Sequence, residues 1–275
     1  MMKRFFSRFF FILGAVIIIA AIGFTFWLRD RYVVPIMTYH HVNNYKDKFL
    51  ALNTVSPRSF GYQMAFLKRH GYKVISFDSL VEGIKKGYKF SHNTVVIHFD
   101  DGYKDNYTNA FPILKKYHFP AMVFLVSDKV GSPGFLNWDQ MKEMERNDFL
   151  AGAHTRHHAY LPHLTLEQAK DEIAGSKRII EQNLGHPINY MVYPAGGFTE
   201  EIKDIARESG FMAAATTNRG KDRFNQDLFE LKRIRMNDGD DRFMGLILWF
   251  KLSGYYNLFR RCRAGGSPDI DLTLK

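Results

Sequence analysis

Val95 to Asn106 reads V-V-I-H-F-D-D-G-Y-K-D-N, and this stretch decides the fold. Val95, Val96 and Ile97 form a β-branched apolar run that ends in two adjacent carboxylates, Asp100 and Asp101. Gly102 stops the strand, and a helical pattern opens at Tyr103 and runs to Tyr117. Strand, paired acids, glycine and helix is the order in which an α/β protein presents reactive groups at the carboxyl end of a strand. Neighbouring carboxylates repel each other unless a cation takes one and leaves the other as a base. Most bare Asp-Asp pairs are solvated turns, so the flanking strand and glycine are what single this one out.

The same alternation extends in both directions. Val33 to His40 reads as a strand ending in His40-His41. Ser56-Pro57 has the form of a helix cap, with Gly71 as the stop after His70. Lys73 to Phe77 reads as a strand and Asp78 to Lys86 as a short helix, and Pro120 to Val126 is a buried strand by its unbroken apolar run. Asn137 caps a helix through Arg146, and Phe149 to Ala153 is a strand. Thr165 and Gln168 have capping-box spacing for a helix ending at Gly185. Ile188 to Tyr193, Phe211 to Thr216 and Leu231 to Met236 are further strands, with a helix from Thr199 to Ser209. Phe243 to Phe259 reads as one aromatic-rich amphipathic helix. The expected fold is α/β, a distorted or incomplete (β/α) barrel of about seven parallel strands, preceded by one transmembrane helix. The domain expectation is 1–30 for a basic terminus and anchor, 31–242 for the barrel, and 243–275 for a closing helix and loose tail.

At 275 residues, 46% apolar and 15% aromatic, the chain can bury a sizeable core and is no disordered segment. Its formal charge of +10 is dispersed among acids, without an arginine-rich cluster, which argues against nucleic acid as a partner. One cysteine, Cys262, excludes an intramolecular disulfide. The amino terminus sets the compartment. Lys3, Arg4 and Arg8 precede twenty uncharged residues, Phe9 to Leu28, enough to span the ~30 Å hydrocarbon core at ~1.5 Å per residue. The positive-inside rule then puts Met1 in the cytoplasm and everything after Leu28 outside, as a single-pass membrane protein. A cleaved signal peptide is the alternative, with Ala21-Ile22-Gly23 as its site.

Two more stretches carry chemistry. His154 and His158, in G-A-H-T-R-H-H, stand four apart, the spacing that turns two imidazoles toward one metal on a helical turn. His157 breaks that face and reads as a solvated neighbour. Tyr193-Pro194-Ala195-Gly196-Gly197 is a strand end turning into a loop whose backbone can approach a ligand. His40, Asp100-Asp101, His154/His158 and Tyr193-Pro194 all follow predicted strands, so a parallel barrel gathers them at one rim. Two histidines and one carboxylate leave a metal with open positions, where it lowers a water's pKa toward ~7 and polarises a carbonyl. The same set suits non-haem iron oxygenases, but the second Asp favours hydrolysis.

H-F-D-D-G, H-T-R-H-H and Y-P-A-G-G, in this order, resemble the leading motifs of the polysaccharide deacetylases, carbohydrate esterase family four, over Val33 to Met236. The resemblance implies a distorted barrel that removes N-acetyl groups from polysaccharide with a divalent metal, Zn2+ or another such as Co2+ or Ni2+. It implies Asp101, His154 and His158 as ligands, Asp100 as general base, the backbone N–H of Ala195 as an oxyanion donor, and Tyr193 and Pro194 beside the substrate.

The departures matter. Val192 stands where many members have the arginine that pairs with the base, and Arg233 or Arg235 on the last strand are the candidate replacements. His98 shares a strand face with Asp100 and reads more readily as a hydrogen-bonded core histidine than as a catalytic one. No late L-x-H motif supplies a general acid. M-T-Y-H-H-V, from Met37, resembles the start of the branch that deacetylates biofilm poly-β-1,6-N-acetylglucosamine, which gives the acid role to His40, with His41 as fallback. The expected substrate is therefore an extracellular N-acetylglucosamine polymer, β-1,6-linked. Peptidoglycan or a β-1,4-linked chitooligosaccharide is the alternative, and a non-catalytic carbohydrate-binding scaffold is the reading from another class.

Overall fold

A computed structural model describes residues 2–29, 31–44, 53–217 and 224–259. The chain divides into two compact units, Met1–Val33 and Val34–Lys275. The first is a single helix, α1 (Met2–Arg29), whose stretch Phe11–Leu28 is long and apolar enough to cross a membrane and contains no buried residue. A membrane anchor and a signal sequence both meet that description.

The second unit is a parallel barrel. Its ring runs β1 (Ile36–Tyr39), β10 (Leu231–Arg235), β9 (Ala213–Thr216), β8 (Tyr190–Val192), β7 (Phe149–Ala153), β6 (Ala121–Leu125) and β5 (Thr94–Phe99), and β1 closes it by pairing also with β5. Ile36 lies opposite Arg233 on one side and Val96 on the other. β4 (Lys73–Val74) adds only to the start of β5, and β2 (His41–Val42) and β3 (Thr54–Val55) form a separate two-stranded ribbon. Around the barrel lie α2 (Pro57–Arg69), α3 (Phe77–Lys85), α4 (Phe111–Tyr117), α5 (Trp138–Glu145), α6 (Leu166–Leu184), α7 (Glu200–Glu208) and α8 (Leu246–Lys251), with a last turn, α9 (Tyr256–Phe259).

Strand periodicity explains the two layers. Met37, Tyr39, Ile97, Phe99, Val123 and Leu125 are buried in one continuous cluster with helix residues such as Phe60, Leu114 and Ile173. The alternate residues point into the bore. There the Phe77 ring, from the start of α3, lies 5.7 Å from Phe124 and 5.1 Å from Tyr190. This aromatic packing fills the bore beneath His98, and polar side chains occupy the level beyond it.

Capping chemistry sets many of the helix ends as the sequence predicts. Ser56, Asn137, Thr165 and Thr199 cap α2, α5, α6 and α7, two of them with full capping boxes, and Gly185 closes α6 at φ 83°. Three elements differ from expectation. The strand at Lys73 stops at Val74, because Ser76 caps a helix that already starts at Phe77. The helix expected from Tyr103 opens instead with a wide π-turn, Asn106–Ala110; Pro112 brings no N–H for the regular ladder, and Asn106 and Asn109 donate to the carbonyls of His40 and Val42. The single helix expected over Phe243 to Phe259 is broken, since Met244 at φ 56° and Gly245 at φ 83° start α8 afresh and Gly254 at φ 78° ends it. α8 buries Leu248 and leaves Trp249 57% exposed. The tail expected to be loose lies outside the described residues from 260 onward.

Candidate active site

The end of β5 explains how adjacent carboxylates escape each other. Asp101 and Gly102 are both left-handed, at φ 70° and 73°. A Cβ on residue 102 would lie 2.7 Å from Leu125 Cδ2, so only glycine fits this turn. The reversal sends Asp100 into the bore and Asp101 toward the histidines. Arg233 meets Asp100 there: its Nη1 donates to Oδ1 at 2.8 Å and Oδ2 at 2.5 Å. Both groups are buried, at 2% exposure each. Burial, the largest single influence, pushes the Asp100 carboxyl up, but the charge of Arg233 and the neighbouring histidines His98, His40 and His154 together outweigh it and hold the pKa well below the usual carboxylate range.

Two histidines border that pair. His40 Nε2 is 3.7 Å from Asp100 Oδ2; burial lowers its pKa, partly offset by the charge of Asp100. His98 sits deeper, with Nε2 2.6 Å from Thr38 Oγ1 and 3.5 Å from Arg233 Nη1. The guanidinium can only donate, so Nε2 is the acceptor and the Thr38 hydroxyl donates to it. Burial pushes His98 down to about 3, so it stays neutral at ordinary pH. Of the two arginines on β10, Arg233 points into the bore and takes the base, whereas Arg235 is exposed at the rim.

Asp101, His154 and His158 bring one donor atom each to within 4.8 Å of one another. Asp101 Oδ1 is 3.5 Å from Nε2 of both histidines. His154 Nδ1 donates to the carbonyl of Val192 at 2.9 Å, which assigns the proton to Nδ1 and leaves the Nε2 lone pair for a cation. Burial, and then the proximity of His158, pushes His154 down to about 4, favouring the neutral form a metal ligand needs. The two histidines are not on a helical turn. They bracket an irregular loop after β7 in which Thr155 and His158 are left-handed, at φ 62° and 63°, and His158 N–H donates to Thr155 Oγ1 at 3.1 Å. Two imidazoles, one carboxylate and an open side form a donor set that fits zinc or a similar divalent ion. His157 points away, 2.6 Å from Glu172 and 3.1 Å from Asp128.

The remaining expected residues divide. Ala195 lies in a tight turn, Pro194–Gly196, at φ 54°, half-buried. Gly197 meets the Tyr160 ring, where a Cβ would approach to 2.2 Å. Tyr193 does not line the site. Its ring is fully buried in the outer core and stacks on Phe198 at 5.3 Å, because its strand parity is that of Met191 and not of Val192. Pro194 is likewise buried. His41 is turned away, with Nδ1 2.7 Å from Asp105 and its ring stacked on Tyr103 at 3.6 Å. Thr38 and the Val192 carbonyl were not foreseen. Thr38 shares the strand face of His40, a detectable signal; a backbone carbonyl leaves none in the side-chain sequence.

A parallel barrel with a His-His-Asp cluster and a buried Asp-Arg pair at the carboxyl ends of its strands defines a metal-assisted hydrolase. Comparison with known proteins agrees. The sequence pattern of the polysaccharide deacetylase family matches residues 87–214. YxkH of Bacillus subtilis strain 168, whose name places it among the polysaccharide deacetylases, is 31% identical over 206 residues, covering 75% of this chain and 72% of its own. The poly-beta-1,6-N-acetyl-D-glucosamine N-deacetylase of Staphylococcus epidermidis is 28% identical over 209 residues, 70% of this chain and 71% of its own. Among solved structures, the Streptococcus pyogenes deacetylase PplD in complex with acetate superposes with a TM-score of 0.67 at 26% identity, over 74% of this chain and 92% of its own. The chain belongs to the polysaccharide deacetylase family, metal-dependent enzymes that remove acetyl groups from polysaccharides.

Proposed function

We propose that this protein is a zinc-type N-deacetylase of an extracellular N-acetylglucosamine polymer, with poly-β-1,6-N-acetylglucosamine as its substrate. The observation that carries the reaction is the Asp101, His154 and His158 cluster beside an Asp100 carboxylate locked to Arg233. Asp101, His154 and His158 would hold a divalent metal, which would supply Lewis acidity toward a water and the amide carbonyl. Asp100, kept ionised by Arg233, takes the proton from the attacking water. The proton taken by Asp100 passes to His40, 3.7 Å away, which delivers it to the departing amine nitrogen, so that both side chains end in their starting protonation states. The N–H of Ala195 donates to the oxyanion that develops on the amide oxygen. His41, tied to Asp105, is set aside as the acid.

The β-1,6 linkage is supported by the M-T-Y-H-H-V start and by the name of the 28% identical staphylococcal relative. The position of the domain outside the membrane rests on the excess of Lys3, Arg4 and Arg8 before the apolar span over the net charge just after it. The deciding measurement is acetate release from matched β-1,6 and β-1,4 N-acetylglucosamine oligomers, with and without chelator. Chelator-sensitive release favouring β-1,6 is expected. Release confined to β-1,4 substrates would keep the mechanism and move the function to cell wall or chitin. Zinc binding without release from any oligomer or from peptidoglycan would leave a carbohydrate-binding scaffold.

A further inference from the structure

A buried carboxylate on α6 organises the loop that carries one of the three ligands. Glu172 is 8% exposed, and its Oε2 accepts the backbone N–H groups of Arg156 and His157, each at 3.0 Å. Its Oε1 lies 2.6 Å from His157 Nδ1. The same loop is tied from the turn after β6, where the N–H groups of Ser127 and Asp128 donate to the carbonyls of Thr155 and Arg156, both at 3.2 Å. The Asp128 carboxylate accepts from Arg156 Nη2 at 2.9 Å. α6 is bare where the Arg156 stem crosses it, since a Cβ on Gly175 would lie 2.7 Å from Arg156 Cδ.

The loop needs such ties. Thr155 and His158 are both left-handed, a conformation that crowds the Cβ of an L-residue and suits a β-branched threonine least. These two strained residues bracket Arg156 and His157, whose N–H groups Glu172 collects. Hydrogen bonds from backbone N–H to a carboxylate are roughly twice as strong as neutral ones, so one side chain offsets much of that strain. Without it two N–H groups of the turn lose their acceptor, and His158, whose side chain is 43% exposed and whose ring meets that of His154 at 4.7 Å, is less firmly held toward Asp101.

We propose that Glu172 is a positioning residue for His158, holding the 155–158 turn in the one conformation that brings the third donor to the metal. The proposal rests on the reading of Asp101, His154 and His158 as ligands. It is tested on the full chain in detergent by measuring the zinc Kd through chelator competition, with Tm recorded alongside, for the wild type, Glu172→Ala, Glu172→Gln and His158→Ala. Glu172→Ala is expected to bind zinc roughly ten- to a hundredfold more weakly. Glu172→Gln keeps an acceptor oxygen for the two N–H groups and is expected to recover most of the affinity. Should the alanine variant not fold, Glu172→Asp, which withdraws the carboxylate by one methylene, is expected to show the same loss in smaller measure. Wild-type zinc affinity with a lowered Tm in the alanine or aspartate variant would overturn the proposal and leave Glu172 a purely structural residue. Wild-type affinity in His158→Ala would instead remove the ligand reading, and the proposal with it, so the two failures are told apart.

Discussion

The two halves of the site are built in opposite ways. Asp100 sits at a strand end, 3% exposed at its side chain, with Arg233 closing on both carboxylate oxygens. His158 sits on a loop, 43% exposed at its side chain, and owes its orientation to strained backbone and hydrogen bonds from a neighbouring helix. The strand half supplies a dry, fixed charge whose chemistry changes only if a partner is removed. The loop half presents an imidazole with an open side, as the proposed polymer site requires. Electrostatics therefore belong to the barrel and access to the loop.

The largest test of that division is the Asp100–Arg233 pair. Asp100→Asn is expected to cut turnover about a thousandfold while leaving metal affinity unchanged. Loss of metal in that variant would break the comparison. Arg233→Met leaves Asp100 buried without its cation and should cost about 3–5 kcal/mol in denaturant unfolding, most of it recovered in the double variant with Asp100→Asn. Because the native Asp100 pKa is depressed, the pair's contribution to stability is complete above about pH 4 and is lost as pH falls through the native value.

The next test separates the two adjacent histidines. His40→Gln is expected to lower kcat about a hundredfold, with metal Kd unchanged. His41→Gln, which disturbs contacts to Asp105 and Tyr103 away from Asp100, should lower it less than tenfold. Equal losses would return the acid role to an open question. The smallest effect is expected at His98. It is neutral down to about 3, so His98→Gln should leave the pH profile of kcat/KM unmoved. The unfolded chain binds a proton at His98 near pH 6.5 and the folded one does not until about 3. Its stabilising share is therefore complete above about pH 6.5 and falls as pH drops, and the Gln variant should lose less stability over that interval.

What was legible in the sequence follows from how local each signal is. The β5 strand, its two acids and Gly102 lie within one short stretch, and the caps at Asn137 and Thr165 need only their third neighbour. Arg233 was one of two candidates by strand alternation, and only the closure of the barrel decides which arginine turns inward. The geometry of His154 and His158 was misread because a four-residue spacing on a loop looks like one on a helix. The resemblance puts Tyr193 beside the substrate, but the side-chain period of two turns its ring to the outer face of the barrel. Glu172 is invisible from the histidine motif, since its role exists only once α6 packs against that loop.

The register of β1 has a consequence for how this enzyme comes into being. The first barrel strand bonds to β5 on one side and to β10, the last, on the other. Asp100 and Arg233, 133 residues apart, meet only when that seam closes. Contacts so distant in sequence form late and slowly, because loop closure must precede the gain they bring. A growing chain that has made Asp100, Asp101 and both histidines therefore still lacks the cation that pairs with Asp100, and that pair is expected to form only with the last strand.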